Sequence, residues 1–199
     1  MNKFIEIKAN AQSLGQRKRV HGIGVNDADY MTQRIDADGN RTICPYYSRW
    51  YSMLQRCYDP AYQNKKPTYI GCTVCKEWLL FSNFRRWMES QPWQGQWLDK
   101  DILLPGNKEY ASNACRFVSS YVNLLLTDSG AVRGQYPQGV YFYKPSGKFK
   151  AQCNIKGKRK HLGYFPTVEE ASTAYKKAKY AEIRRVADQQ TDIEIRAGL

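Results

Sequence analysis

The segment from Gly139 to Ala187 constrains the fold of this chain more than any other. It contains three short runs in which apolar and polar residues alternate. The apolar positions are Val140 and Phe142, then Phe149, Ala151, Cys153 and Ile155, then Leu162 and Tyr164. Ser146-Gly147 and Lys156-Gly157-Lys158 separate the runs, and such turns join antiparallel strands. The pattern predicts a three-stranded antiparallel sheet.

A single helix is predicted to follow this sheet. Thr167 and Glu170 form a capping box, which begins a helix that runs to about Ala187. The apolar stripe of this helix is mostly alanine, and small residues let a helix approach a sheet closely. Its cations are expected to solvate the outer face, and they are Lys176, Lys177, Lys179, Arg184 and Arg185.

The positive charge of the chain is concentrated in the same segment. The 199 residues carry a formal net charge of +13. Between Arg133 and Ala187 there are thirteen lysines and arginines against three acidic residues, a difference of +10. A thin sheet with one basic, aromatic and polar face is suited to lie against phosphates, so nucleic acid is the leading partner.

The order of glycines, aromatics and helix resembles the Apetala-type (ethylene-response-factor) DNA-binding domain. The matching residues are Gly139-Val140, Lys148-Phe149-Lys150-Ala151, Gly163-Tyr164-Phe165 and the helix start from Thr167 to Tyr175. The resemblance implies that the sheet enters the major groove of double-stranded DNA. The DNA-binding residues that it implies are Tyr141, Tyr143, Lys148, Lys150, Gln152, Asn154, Lys158, Arg159 and His161.

Three of these residues have base-reading chemistry. Gln152 and Asn154 could read adenine, and Arg159 could read guanine. The plant-type domains carry more arginine and tryptophan on these strands, where this chain has tyrosine, glutamine and lysine. The DNA sequence that the plant-type domains recognise therefore cannot be assigned to this chain.

Two amphipathic helices are predicted upstream. Tyr47, Trp50 and Leu54 recur at helical spacing, and Phe81, Phe84, Trp87 and Met88 do so again. These aromatic residues are expected to form a core. An aromatic platform for stacked bases would need them exposed beside cations, and Arg85 and Arg86 alone offer that.

The stretch from Trp97 to Leu126 predicts a ββα finger. The pattern predicts four elements in order. They are a strand over Trp97 to Leu104, a turn, a strand over Arg116 to Val118 and a helix from Ser119 to Leu126. This order resembles the HNH (His-Me finger) endonucleases, and among them phage-encoded proteins that carry an Apetala-type tail. The resemblance implies a divalent-metal site for Mg²⁺ or Mn²⁺, with Asp99, Asn107, Lys108 and Asn123 in matching places. Lys100 and Asp101, which follow Asp99, complete the candidate catalytic set, and the candidate metal ligands are Asp99, Asp101 and Asn123.

Lys100 occupies the position where these enzymes have a histidine base. An ammonium flanked by Asp99 and Asp101 is no base, because the carboxylates favour its charged form. Two interpretations stay open. If both carboxylates share one strand face, with Cα atoms roughly 7 Å apart, they could hold the metal together with Asn123. Asp101 or a second water would then act as the base, and Lys100 or Lys108 would neutralise a phosphate. Otherwise the three residues form a local charge cluster.

The six cysteines are expected to be reduced thiols. Cys72 and Cys75 have the spacing of half a zinc site, with Cys44 and Cys57 as candidate partners. The alternative is that they are small buried apolar residues.

The first forty residues are weakly patterned. They contain the basic run Arg17-Lys18-Arg19, which either touches DNA or belongs to a solvated, partly mobile arm.

Together these features predict an α+β protein in five segments. They are a basic segment 1–43, an HNH-like domain 44–126, a linker 127–134, an Apetala-type domain 135–187 and a tail 188–199, in which Ile193 and Ile195 suggest a short strand. No apolar run is long enough to span a membrane, and a cytoplasmic protein is expected. Three functions remain open: a metal-dependent DNA endonuclease, an inactive DNA-binding regulator on the same scaffold, and a phage protein that inhibits a host enzyme.

Overall fold

The structure is a computed structural model that describes residues 4–35, 39–127 and 134–199. It contains both helices and a three-stranded antiparallel sheet, which confirms the α+β class. The chain forms two compact units, Met1–Val118 and Ser119–Leu199. In the part that the structure describes, no helix is long and apolar enough to cross a bilayer.

The first unit is mainly helical. Its helices are α1 (Ala11–Gly15), α2 (Pro45–Tyr58), α3 (Pro60–Lys65) and α4 (Phe81–Glu89), with 3-10 turns at Pro67–Tyr69 and Lys76–Leu79. Its strands are β1 (Gln33–Ile35), β2 (Arg41–Ile43), β3 (Thr73–Val74), β4 (Trp97–Asp99), β5 (Glu109–Tyr110) and β6 (Arg116–Val118). β1 and β2 pair antiparallel, as do β4 and β6, whereas β3 and β5 pair in parallel.

The predicted aromatic core is found in this unit. Trp50, Phe81 and Phe84 are fully buried, and the indole Nε1 of Trp50 donates to the carbonyl of Trp78 at 2.6 Å. This bond satisfies the polar atom of a buried tryptophan. α2 and α4 therefore pack through the inner faces that the helical spacing predicts.

The first residues of the chain are built into the same unit. Arg17 donates to the carbonyls of Asn26, Ala28 and Tyr30. Its guanidinium ties backbone segments together, so Arg17 does not belong to a solvated arm. The 1–43 boundary therefore does not separate an independent arm from the core.

The second unit contains the predicted sheet and its helix. Its strands are β7 (Val140–Tyr143), β8 (Lys148–Ile155) and β9 (Lys158–Phe165), with β8 in the middle. Its helices are α5 (Ser120–Leu126), α6 (Val168–Asp188) and α7 (Ile193–Gly198), and a 3-10 turn lies at Lys144–Ser146.

α6 begins as the capping box predicts. The hydroxyl of Thr167 accepts from the Glu170 amide at 3.2 Å, and the helix ends at Asp188. Ala171 of α6 is fully buried against Ala151 and Val140 of the sheet. A Cβ at Gly139, where φ is +77°, would overlap the Tyr175 ring, so a glycine is needed there.

Two local predictions are wrong. The strand predicted over Trp97 to Leu104 ends at Asp99. The tail forms α7 instead of a strand, because the Asp192 carboxylate caps it by accepting from the amides of Glu194 and Ile195 at 2.9 and 3.1 Å.

The division between the units falls before α5. Tyr121 of α5 donates to Glu182 of α6 at 2.6 Å, which ties α5 to the second unit. The predicted linker 127–134 follows α5, and residues 128–133 of it lie outside the described ranges.

Candidate nucleic-acid interface

Strand register places most of the predicted DNA-binding side chains on one face of the sheet. Residues directly opposite each other share a face, and side chains alternate along each strand. Ala151 and Cys153 of β8 are buried on the side of α6, so the residues between them point away from the helix. The cross-strand partners of those residues point the same way.

This surface, called the outward face, contains eight of the nine predicted residues. They are Tyr141, Tyr143, Lys148, Lys150, Gln152, Asn154, Arg159 and His161. Lys158 is the exception, because it lies opposite Ile155 and therefore on the α6 side, although it is exposed.

A bulge in β9 adds a residue that the sequence pattern placed on the wrong face. Ala151 pairs with Gly163 and Gln152 pairs with His161, so Leu162 is the extra residue. Leu162 packs into the core, whereas Tyr164, opposite Lys150, belongs to the outward face. Leu162 and Tyr164, the two apolar positions of the third run, therefore lie on opposite faces of the sheet.

Tyr164 joins an exposed aromatic group. Its ring centroid lies 5.0 Å from that of Tyr143 and 4.7 Å from that of His161. Tyr143 is 39% exposed and Tyr164 44% exposed. Large exposed rings on a small sheet are a feature of surfaces that bind a partner.

The polar side chains of the outward face have no hydrogen-bonding or ionic partner among the described residues. Within the described chain, none of its lysine, arginine, glutamine, asparagine or tyrosine side chains forms a hydrogen bond or an ion pair. The sequence from Val140 to Phe165 contains no aspartate or glutamate to neutralise these cations. The face therefore offers donors, acceptors and positive charge to an external partner.

Lys100 is not available to a phosphate. It is buried, at 6% exposure, and its Nζ donates to Asp101 Oδ1 at 2.6 Å and to the Asn107 carbonyl at 2.5 Å. The ammonium is thus held inside the finger by two partners.

Asn107 and Lys108 also have local partners. The Asn107 side chain donates to the carbonyls of Lys100 and Glu109 at 2.9 and 2.6 Å. Lys108 Nζ donates to the carbonyls of Thr68 and Ile70 at 3.0 and 3.3 Å. Both residues therefore stabilise the loop that contains them.

The carboxylates do not form the predicted pair on a strand. β4 ends at Asp99, whose Oδ1 accepts from the amides of Asp101 and Ile102 at 2.7 and 2.8 Å. Burial raises the pKa of Asp99, although these bonds oppose the shift. One oxygen of Asp99 thus accepts backbone bonds, and one oxygen of Asp101 pairs with the Lys100 ammonium. Asn123 lies on α5 in the second unit.

The cysteines of the predicted zinc half-site form no disulfide, and they lie in or against the core of the first unit. Cys72 is buried, and burial raises the pKa of Cys75 and raises that of Cys57 to about 12. Zinc binds thiolates, which such burial disfavours. Among the residues described, no three His, Cys, Asp or Glu side chains come together as a metal site.

Glu182 is a buried acid that the sequence analysis did not single out. It accepts from Tyr121 Oη at 2.6 Å, from the Lys156 amide at 2.9 Å and from Arg185 Nε at 2.9 Å. Arg185 and these bonds lower the pKa of Glu182 to about 2. Arg185, expected to be merely solvated, instead neutralises this carboxylate, and the bond to Lys156 anchors the turn that joins β8 to β9.

Comparison with protein-family models, with curated proteins and with solved structures finds no match for this chain.

Proposed function

We propose that the protein binds double-stranded DNA through the outward face. The observation that carries this proposal is the register of the sheet, which gathers three cations, two amides, three tyrosines and a histidine on one side. None of them has a hydrogen-bonding or ionic partner in the described chain. We place this function in the cytoplasm, which is the cytoplasm of the host cell if the chain is phage-encoded.

The chemistry of the face matches a major groove. A two- or three-stranded ribbon fits into a groove about 12 Å wide, where base edges are exposed. Lys148 and Lys150 on β8 would contact phosphates, which fixes the orientation of the sheet. Gln152 and Asn154 would read adenine, and Arg159 would read guanine.

We further propose that the finger has a structural role and that DNA occupancy is the function. Lys100 stands at the base position and is buried between Asp101 and the Asn107 carbonyl. Asp99 accepts two backbone amides. These contacts support an inactive scaffold more than the nicking enzyme that the HNH resemblance implies.

The binding proposal is tested by fluorescence anisotropy with a labelled 20-base-pair duplex over a range of salt concentrations. Lys150→Ala/Arg159→Ala should weaken binding about tenfold or more and lower the salt slope by about one, because one phosphate contact and one base contact are lost. Lys176→Ala/Lys177→Ala, with the same charge loss on α6, is the matched control and should bind nearly as the wild type does. Equal losses in both pairs would reject the sheet as the interface.

Nicking is tested separately with supercoiled plasmid and Mg²⁺ or Mn²⁺. We expect the plasmid to stay supercoiled at protein concentrations that saturate it. Open circles that disappear with Asp99→Ala would instead show an endonuclease.

A further inference from the structure

The basic run Arg17-Lys18-Arg19 takes no part in the proposed DNA contact, and its side chains have separate surroundings. Arg17 is bound to three backbone carbonyls. Arg19 donates to the carbonyl of Ile23 at 3.2 Å. Lys18 has no partner in the described part of the chain, and it lines a cleft of the first unit.

The cleft is large enough for a small molecule. Its volume is about 510 Å³, within the range of ligand pockets. Its walls come from α1 and the residues after it, from the segment before β1, and from α2. All of them belong to the first unit, so the cleft and the outward face share no residue.

Tyr47 is one of the residues that line this cleft. The residue is 9% exposed, and its ring packs against Trp50 and Phe81 at centroid distances of 5.7 and 5.5 Å. Its hydroxyl has no hydrogen-bond partner among the described residues. Burial raises the pKa of Tyr47, so the hydroxyl keeps its proton and can donate. A buried ring with an unpaired hydroxyl in a cleft is suited to a ligand that accepts a hydrogen bond.

The positive charge around the cleft favours an anionic ligand. Arg17 and Lys18 line it, and no aspartate or glutamate does so among the residues described. Arg41 adds charge nearby, where its guanidinium donates to Gln33 Oε1 at 2.6 Å. A phosphate would be attracted by this field.

The cleft also contains side-chain amides that can bind a part of the ligand other than its phosphate. Gln12 and Gln16 line it, and in the described structure their side chains have no partner. A primary amide presents one donor and one acceptor in a plane, which is the pattern of a nucleobase edge.

We propose that this cleft binds a free nucleoside monophosphate. Lys18 holds the phosphate, Tyr47 donates to the ligand, and Gln12 and Gln16 bind the base edge. The proposal is independent of DNA binding, because it concerns other residues in the other unit.

The test is calorimetric titration of the full-length protein with AMP, GMP, CMP and UMP, and with adenosine and inorganic phosphate as partial ligands. At least one monophosphate should bind saturably and more tightly than either partial ligand. Lys18→Ala should weaken that binding about tenfold or more, and Tyr47→Phe about fivefold, as expected for a charged and a neutral hydrogen bond. Arg19→Ala is the control, since it removes the same charge away from the cleft, and its affinity should stay within about twofold.

Three results would overturn the proposal. The first is the lack of saturation by any monophosphate up to about 5 mM, which lies beyond weak specific binding. The second is an equal loss of affinity in Arg19→Ala and Lys18→Ala. The third is a four-nucleotide single strand that binds the cleft more tightly than every monophosphate, because the site would then belong to a polynucleotide. Tyr47→Phe keeps the buried ring. If Tyr47→Phe is nevertheless unstable, Lys18→Ala is sufficient for the test, because Lys18 is exposed.

Discussion

Tyr143 and Tyr164 lie with their ring centroids 5.0 Å apart, although they stand on the two outer strands of the sheet. Tyr143 is opposite Lys148, and Tyr164 is opposite Lys150. The rings therefore meet across the middle strand, beside two lysines. This places apolar contact area and positive charge on the same small surface, which supports the proposed contact with DNA.

Tyr164→Ala should weaken duplex binding about three- to tenfold, because it removes an exposed ring from the outward face. Tyr180→Ala, 74% exposed on α6, is the control and should leave binding unchanged. Anisotropy measures both affinities. Equal affinities for the two variants would show that the ring cluster does not touch DNA.

Arg159→Ala should relax sequence preference at one guanine. The wild-type target is first selected from random duplexes, and the variant is then measured against that target with each base replaced. A bidentate guanine contact contributes about 1–3 kcal/mol of discrimination. If all positions lose affinity uniformly, Arg159 contacts phosphate instead of a base.

The sequence predicts the elements that depend on local signals. The Thr167 capping box, the serine cap at Ser119 and the two aromatic helices are confirmed, because a few neighbouring residues specify each of them. The alternation along β8 also predicts the outward face, since the period of a strand is fixed.

Features that depend on distant partners could not be predicted. The bulge at Leu162 arises from the pairing of β9 with β8, and it moves Tyr164 to the other face. Lys100 is buried only because its loop returns to place the Asn107 carbonyl at its ammonium. The bonds from Tyr121 and the Lys156 amide to Glu182 likewise join residues far apart in sequence.

Gly139→Ala should destabilise the second unit by about 2–4 kcal/mol, because it combines an unfavourable φ with an overlap on the Tyr175 ring. Gly157→Ala is the control. Its φ of +74° is similar, but nothing lies within 4 Å of the added Cβ, so about 1 kcal/mol is expected. Urea unfolding, monitored by hydrogen exchange of the α6 amides, measures the free energy of unfolding of each variant. Equal losses would refute the close approach at Gly139.

Glu182 should make the second unit acid-sensitive. The pKa of about 2 in the folded state lies below the ordinary glutamate value of about 4.3, so the folded state binds the proton more weakly than the unfolded state does. The stabilisation is fully present above about pH 5 and is lost as the pH falls from about 4 towards 2. Glu182→Gln should remove this pH dependence and lower stability at neutral pH by about 1–3 kcal/mol.

The readout for Glu182 must report the second unit. All five tryptophans lie in the first unit, so hydrogen exchange of α6 amides is used in place of tryptophan fluorescence. Glu169→Gln, at the exposed start of α6, is the control and should keep the acid transition. An unchanged transition in Glu182→Gln would contradict the assigned role.

The most direct test of the central claim is an NMR titration of the full-length, ¹⁵N-labelled protein with a short duplex. We expect the largest chemical-shift changes at Lys148, Lys150, Gln152, Asn154, Arg159 and His161, with small changes along the exposed side of α6. Saturating changes elsewhere, with the outward face unperturbed, would contradict DNA binding by this sheet.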